Sequence, residues 1–512
     1  MPLHQSVLPH RRKSIIFNST SQPSQFNYMF GIAVAAASSK RLATAGVEIY
    51  FMTDDTCKEL IESTPNLKFL SLGPKAEVQF DLSTVMSKAR ARPRDASALA
   101  GISEGFWTNP QIVLNNIERC HAHMKALRPM LVVLDQFSRA LDGAMALRIP
   151  YLMCGNEVVP TSKPTDRSAL KTLFTVPSMC TGFVGPMTWW QTFQNTFTIV
   201  HYISLLLRSP SIRWQARARR ELLNEPNLPF ATLDRSFGSD LEHGEIWAMP
   251  KSVLHPHAEY KTVFPVGPTF EAQFDPSVQT NLAGWLDEGP VIYINMGTLF
   301  KFTDADLHVF ASTFHDLVQP SSTSSLPSGG LVTSNKHRFL WKLPSKPYAR
   351  LFELYPNFLA NEETHGRVRI ETWIDFPHLV LSHPNTLAFV HHGGANSFIE
   401  SAWYGVPQVI LPMWADCYDT AAQAVRAGVA VSGLEREAPF PSVELFTELL
   451  LTLLARGDDG YIGYKRKAET LAEECRLAGG AGRAAEIIEQ VFAREMEEWD
   501  GDVKDDKNVI KI

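Results

Sequence analysis

The chain has 512 residues, 45% hydrophobic and 20% charged, with 30 Gly and 33 Pro, a composition that excludes disorder as its main character. At ~100–200 residues per domain the length argues for two or three domains, two being the simpler count, each able to bury a core unaided. The 48 Lys+Arg against 54 Asp+Glu leave a formal charge of −6, which gives phosphate backbones no long-range attraction and excludes nucleic acid as an expected partner.

The N-terminal MPLHQSVLPHRRK places basic residues before a strand-like Ser14 to Phe17 rather than before a long apolar run, so no signal peptide is expected. Asn18-Ser19-Thr20 fits the glycosylation pattern by chance, because it closes an apolar strand. Apolar runs then alternate with helical patterns: Ile15 to Phe17, a helix over Phe30 to Ala45, Val47 to Phe51, Leu131 to Leu134, and a helix over Ala140 to Leu147. That βαβ order predicts a parallel sheet with helices on both faces. Met187 to Leu207 is strongly apolar, but Gln191, Gln194, Asn195 and His201 interrupt it too often for a membrane span. It reads as an amphipathic helix pair lining core or crevice, with peripheral contact to a lipid surface as the alternative.

Pro265, Gly267 and Pro268, with the stretch on to Thr280, mark a linker. After it the alternation restarts with strands at Val291 to Asn295, Phe339 to Lys342, Val368 to Ile370, Leu387 to Val390 and Gln408 to Leu411. The expected α/β organisation is therefore a first domain over 14–265, a second over 281–480, and a terminal helix over 481–499. Between the second domain's strands, Pro320 to Gly330 is low-complexity and reads as a surface loop. The polar end of the chain predicts no hydrophobic anchor. The six cysteines (Cys57, Cys120, Cys154, Cys180, Cys417, Cys475) form no C-x-x-C pair and fit reduced thiols, hence an intracellular, soluble protein.

Chemistry concentrates in LAFVHHGGANSFIESAWYGVPQVILPMWADCYDTA, residues 387–421. A strand runs into His391-His392-Gly393-Gly394-Ala395-Asn396, with a helix predicted to start near Ser397. Glycines permit close backbone approach and a helix start offers unpaired N–H groups, so an anion such as a pyrophosphate belongs there. His392 would add a side-chain donor. Ser397 and Glu400 also have the spacing of a capping box, a purely structural alternative. Asn295-Met296-Gly297-Thr298, closing another strand, is a weaker phosphate-facing candidate.

Trp373, His383-Pro384, Phe389, His391-His392-Gly393-Gly394, Asn396-Ser397, Glu400, Gly405-Val406-Pro407, Pro412 and Asp416 stand in the order of the donor-binding signature of the UDP-glycosyltransferases. The chain resembles glycosyltransferase family 1, and its fungal members most. The resemblance implies a GT-B fold of two facing Rossmann-like domains, the N-terminal one holding the acceptor, the C-terminal one the nucleotide sugar, and a last helix crossing back to the first. It assigns Trp373 to the uracil, Glu400 to the ribose hydroxyls, His392, Asn396, Ser397 and Thr298 to the phosphates, and Asp416 to the sugar hydroxyls, and counts Gly297, Gly394 and Cys417 within the donor site. For Trp373 a core position is the alternative; for Cys417 it is a small buried thiol. A carboxylate accepts from two O–H donors and His, Asn, Ser and N–H groups donate to phosphate, so the chemistry suits each role.

The family's base, a His set by an Asp, is matched only in part. Asp135 ends a strand as the Asp should, but the loop Ser19 to Asn27 offers Gln25 at the base's place, and an amide takes no proton at neutral pH. Another group, Asp135 itself, a readily ionised acceptor, or loss of catalysis remain open. Trp373-Ile374-Asp375-Phe376-Pro377 and Asp416-Cys417 depart from the family's glutamines. The leading expectation is metal-independent, inverting transfer of a sugar, glucose first, from UDP to a hydroxyl of a hydrophobic small molecule, with no cofactor beyond the UDP-sugar co-substrate. The competing one is a catalytically impaired nucleotide-sugar-binding protein.

Overall fold

The computed structural model describes residues 11–78, 85–86, 90–107, 109–157, 174–230, 241–253, 262–270, 280–318, 337–358 and 366–509, without the side chains of 280 and 500–509. The expected loop at 320–330 and most of the linker, 271–279, lie outside them. Among the described residues, thirteen strands form two parallel sheets. In the first, β1 (Arg12–Asn18), β2 (Glu48–Thr53), β3 (Leu67–Ser71), β4 (Pro129–Asp135), β5 (Tyr151–Gly155), β6 (Glu242–Trp247) and β7 (Val263–Pro265) lie in the order β3-β2-β1-β4-β5-β6-β7. The inner strands are nearly uniform apolar runs, Ile15, Ile16 and Phe17 of β1 being wholly buried, as a sheet covered on both faces requires.

The second sheet holds β8 (Val291–Asn295), β9 (Arg338–Lys342), β10 (Val368–Glu371), β11 (Thr386–His391), β12 (Gln408–Ile410) and β13 (Ala430–Ser432) in the order β10-β9-β8-β11-β12-β13. Each sheet reverses its winding once, between β1 and β4 and between β8 and β11. In doubly wound sheets the crevice outside the carboxyl ends of such strands is where ligands bind.

The helices needed below are α1 (Pro23–Ala37), α2 (Ala96–Gly105), α3 (Trp189–Arg208), α4 (Pro210–Leu223), α5 (Asp304–Val318), α6 (Ala395–Tyr404), α7 (Asp416–Arg426) and α8 (Gly480–Val509). Of these, α1 and α3 depart from the sequence expectation. Pro23 supplies a fixed φ at the first helical position, so α1 starts there, and Gln25 sits on a helical turn rather than in a loop. The expected helix to Ala45 stops at Ala37; Ser39 caps a separate turn, Lys40–Thr44. Met187 to Leu207 is not a helix pair buried in a core: it is one long helix, α3, from Trp189, whose Thr188–Gln191 capping box fixes its start.

α8 packs on α1 and reaches β4 and β6, placing Ala484, Ile487, Ile488, Val491 and Phe492 in the core of the first sheet. The halves also meet directly. A shared apolar cluster joins Trp247, Met249 and Val263 to Phe398, Ile410 and Tyr418. Arg90 grips Asp306 of α5 through two hydrogen bonds of 2.8 and 2.6 Å, while its guanidinium lies 5.3 and 4.7 Å from the Phe300 and Phe440 ring centres.

Candidate functional site

Every strand end from β8 to β12 delivers a polar or aromatic group to the second sheet's crevice. β8 closes on Asn295, whose Oδ1 accepts from the Gly297 N–H at 3.0 Å, making a tight turn that leaves Thr298 exposed. Gly297 has φ +79°, and a Cβ there would lie 2.5 Å from Cε1 of His392. A Cβ on Gly394 would lie 2.6 Å from Nε2 of the same ring. The two glycines therefore hold the His392 imidazole between their backbones.

Burial pulls His392 down to about 4, so it is neutral at physiological pH. Its Nδ1 is buried and has no hydrogen-bond partner among the described residues, a costly state that a ligand group would relieve. His391 is different. Its Nδ1 accepts from the Gly393 N–H at 3.1 Å and its Nε2 meets the Gln408 Oε1 at 2.9 Å, which assigns it to holding the turn.

α6 begins at Ala395 with Gly394 as N-cap and no side chain capping it. The capping-box alternative thus fails: Ser397 is the third helical residue and cannot cap. With Gly in the cap position, the first-turn N–H groups and the positive end of the helix dipole are offered to an anion. Asn396, in that turn, donates to the Ser24 carbonyl at 3.2 Å and accepts from Asn156. It ties the anion turn to the first domain, beside Gln25, whose Oε1 accepts from Ser24 Oγ at 2.6 Å.

Trp373, in the turn after β10, is 57% exposed; it is not a core residue. Lys342, the buried last residue of β9, holds its Nζ 4.0 Å from that ring's centre. Burial lowers Lys342, and Glu400 opposes this. Glu400 on α6 is pushed up to about 7 by burial, against the pull of Lys342. These three form a row from an aromatic face through a cation to a carboxylate.

A cavity of about 190 Å³ opens beside Glu400, Asn396 and Ile399 and is closed on the other side by Asn27, Tyr28 and Thr269. His378 lines it too, its ring 4.9 Å from that of Phe270. Past β12, Ala415 takes φ +34°, in the left-handed region that costs an L residue roughly 1–3 kcal/mol, and thereby sets Asp416 at the start of α7. Burial raises Asp416 to about 6, its own and Cys417's N–H groups opposing. Cys417 is fully buried under Gly393, whose added Cβ would lie 2.8 Å from the Cys417 carbonyl. Burial raises its thiol well above the ordinary value. That is the packing alternative for Cys417.

At the first sheet's reversal, Asp135 ends β4 fully buried and accepts from the Phe137 N–H at 2.5 Å. Gln136 donates to Glu157 Oε1 at 2.7 Å and lines a second cavity with Phe106, Trp107, Tyr202 and Leu206. Lys342, His378 and Glu157 were missed by the sequence reading. A Lys closing the apolar run Phe339 to Trp341 was the one available signal, since a charge ending a buried strand must face a crevice or a partner.

Residues 333–440 match the family model described as UDP-glucoronosyl and UDP-glucosyl transferase. Among curated proteins the chain is similar to glycosyltransferase sdnJ of Sordaria araneosa, 30% identical over 44% of this chain and 46% of that one. It is also similar to erythritol-mannosyl-transferase 1 of Pseudozyma antarctica, 26% identical over 40% and 41%. The chain spans about half the length of these curated relatives. Among solved structures, Medicago truncatula UGT71G1 complexed with UDP-glucose superposes with a TM-score of 0.59 at 16% identity, covering 94% of this chain and 98% of that one. The signature from Trp373 to Asp416 and these likenesses make residues 333–440 similar to the UDP-glycosyltransferases, and the paired parallel sheets give the chain the GT-B fold of the solved structures.

Proposed function

We propose that the protein transfers a sugar, glucose first among candidates, with inversion from a UDP-sugar to a hydroxyl of a hydrophobic small molecule. The observation that carries this reading is the uncapped start of α6 with neutral His392 beside it, framed by Trp373, Lys342 and Glu400. Uracil stacks on the open face of Trp373, the ribose hydroxyls donate to Glu400, and the diphosphate takes the N–H groups of the α6 turn with His392, Asn396, Ser397 and Thr298. Asp416 faces the sugar. The acceptor enters along the cavity where Phe106, Trp107, Tyr202 and Leu206 stand beside the polar Gln136, Ser138 and Arg139, a mixed lining of aromatic surface and hydrogen-bonding groups.

In the reaction the acceptor oxygen bonds to the anomeric carbon as the bond from that carbon to the phosphate oxygen breaks. The charge growing on UDP meets donors already aimed at it, so little reorganisation is needed. The acceptor proton goes to the carboxylate of Asp135 or of Glu157, because Gln25 cannot take it. The test is UDP release from a panel of UDP-sugars with hydroxylated aromatic acceptors, repeated with Asp135→Asn and Glu157→Gln. Turnover abolished by one of these and retained with Gln25→Ala supports the reading. UDP-sugar binding without turnover on any acceptor favours the alternative that Gln25 suggests, a binding protein that has lost catalysis.

A further inference from the structure

α3 carries its apolar residues on the wrong side for a core. Trp189, Trp190, Phe193, Phe197, Val200, Ile203 and Leu207 are each between 47% and 79% exposed, and from Trp190 onward they recur three or four residues apart, the spacing of one helix face. The rings continue one another: Trp190 stacks on Phe193 at 5.4 Å and Phe193 on Phe197 at 6.4 Å. The inner face is different in kind, with Asn195 and Thr198 buried against the first domain and Ser103 hydrogen-bonded to the Tyr202 hydroxyl at 2.8 Å. Twenty residues of helix extend about 30 Å. Large contiguous apolar patches are uncommon on soluble monomers and mark a docking surface.

Charge identifies the occupant. α3 contains no Asp or Glu. At its C-terminal end Arg208 is exposed, followed on α4 by exposed Arg213 and Arg217 flanking the exposed Trp214. Arg219 is spent internally on Asp142 at 2.8 Å, and Glu104, beside the α3–α4 junction, accepts from Ser209. An apolar stripe with tryptophans, free of acidic groups and ending in exposed arginines, is the pattern of a helix lying in a membrane interface rather than crossing it. No helix among the described residues is long and apolar enough to cross.

We propose that α3 and the start of α4 dock the protein on an anionic lipid surface, the aromatic stripe entering the acyl boundary while Arg208, Arg213 and Arg217 meet the headgroups. The inner side of α3 contributes Tyr202 and Leu206 to the cavity of the first domain, so the surface would lie one helix away from that cavity. The docking itself does not depend on the proposed reaction.

The test is flotation of the full chain with phosphatidylcholine vesicles with and without phosphatidylserine, with tryptophan fluorescence recorded alongside. Wild-type protein is expected to float with the phosphatidylserine vesicles, with a blue shift from Trp189 and Trp190, and to detach as salt is raised. F193S/F197S is expected to weaken partition about tenfold or more; both sites are exposed, and an unchanged circular dichroism spectrum verifies the fold. R208E/R213E/R217E is expected to lose the preference for phosphatidylserine. The proposal is overturned if wild-type protein floats with neither vesicle, or if F193S/F197S floats like the wild type. It is equally overturned if floating is the same with and without phosphatidylserine. A concentration-dependent dimer that F193S/F197S dissolves, with no vesicle binding, assigns the stripe instead to a second copy of the chain.

Discussion

Glu400 is placed to titrate where it matters. With its carboxyl at about 7, it is largely neutral below that pH and anionic above, and only the anion can accept from both hydroxyls of a ribose bound as proposed. Affinity for UDP-glucose, whose diphosphate diester does not itself titrate there, is therefore expected to fall as pH drops through about 7, with proton release on binding measurable by calorimetry in buffers of different ionisation enthalpy. Glu400→Gln should flatten that profile. Lys342 holds Glu400 down, so Lys342→Met should move the inflection to higher pH and weaken binding at neutral pH; an unmoved inflection would detach Lys342 from the site. Lys342 also covers one face of Trp373, an arrangement worth about 0.5–2 kcal/mol as cation–π attraction, which leaves the other face for a base. Trp373→Ala should cost about 1–3 kcal/mol of UDP affinity, the scale of a lost stack; unchanged affinity in a titration would remove it from the uracil role.

Single elements differ in how plainly they could be read. β8, Val291–Asn295, was readable to the residue because the apolar run Val291 to Ile294 is bounded by Gly289-Pro290 and by Asn295 and Gly297. The turn between β11 and α6 was readable because two glycines and a polar first turn follow an apolar strand. Its helix start was misplaced by two residues, since Ser397 and Glu400 imitate a cap that Gly394 already occupies. The face that α3 presents was not readable: periodicity reveals that a helix has an apolar side, while which side is covered depends on α2, to which it packs. Lys342 and His378 acquire their surroundings only when β9, β10 and α6 converge. At this scale Gly297→Ala is the sharp test. Its φ of +79° and the 2.5 Å approach to His392 leave no room for a methyl, so the ring must move. UDP-sugar binding should weaken about tenfold or more, the loss of a donor to a charged group, with circular dichroism unchanged. Wild-type affinity would mean that His392 does not serve the phosphates.

The whole molecule works only if its two crevices face each other, and the contacts between halves are specific. Asp419 of α7 accepts from the Gly182 N–H at 2.8 Å and from that of Cys180, and Arg90 sits between two rings while gripping Asp306. Asp306 also accepts from Thr303 at the start of α5, so Arg90→Met removes one of the links between halves and leaves that cap in place. We expect a larger radius of gyration by small-angle scattering and slower turnover, with UDP binding to the isolated second crevice little changed. A wild-type radius with wild-type turnover would mean the link is ornamental.

The measurement that bears most directly on the account is a crystal structure of the protein soaked with UDP. The account expects diphosphate oxygens within hydrogen-bond reach of the first-turn N–H groups of α6 and of His392, with uracil flat against Trp373. Diphosphate density anywhere else, or uracil away from Trp373 with the α6 turn still bonded only to Ser24 and Asn156, would contradict it.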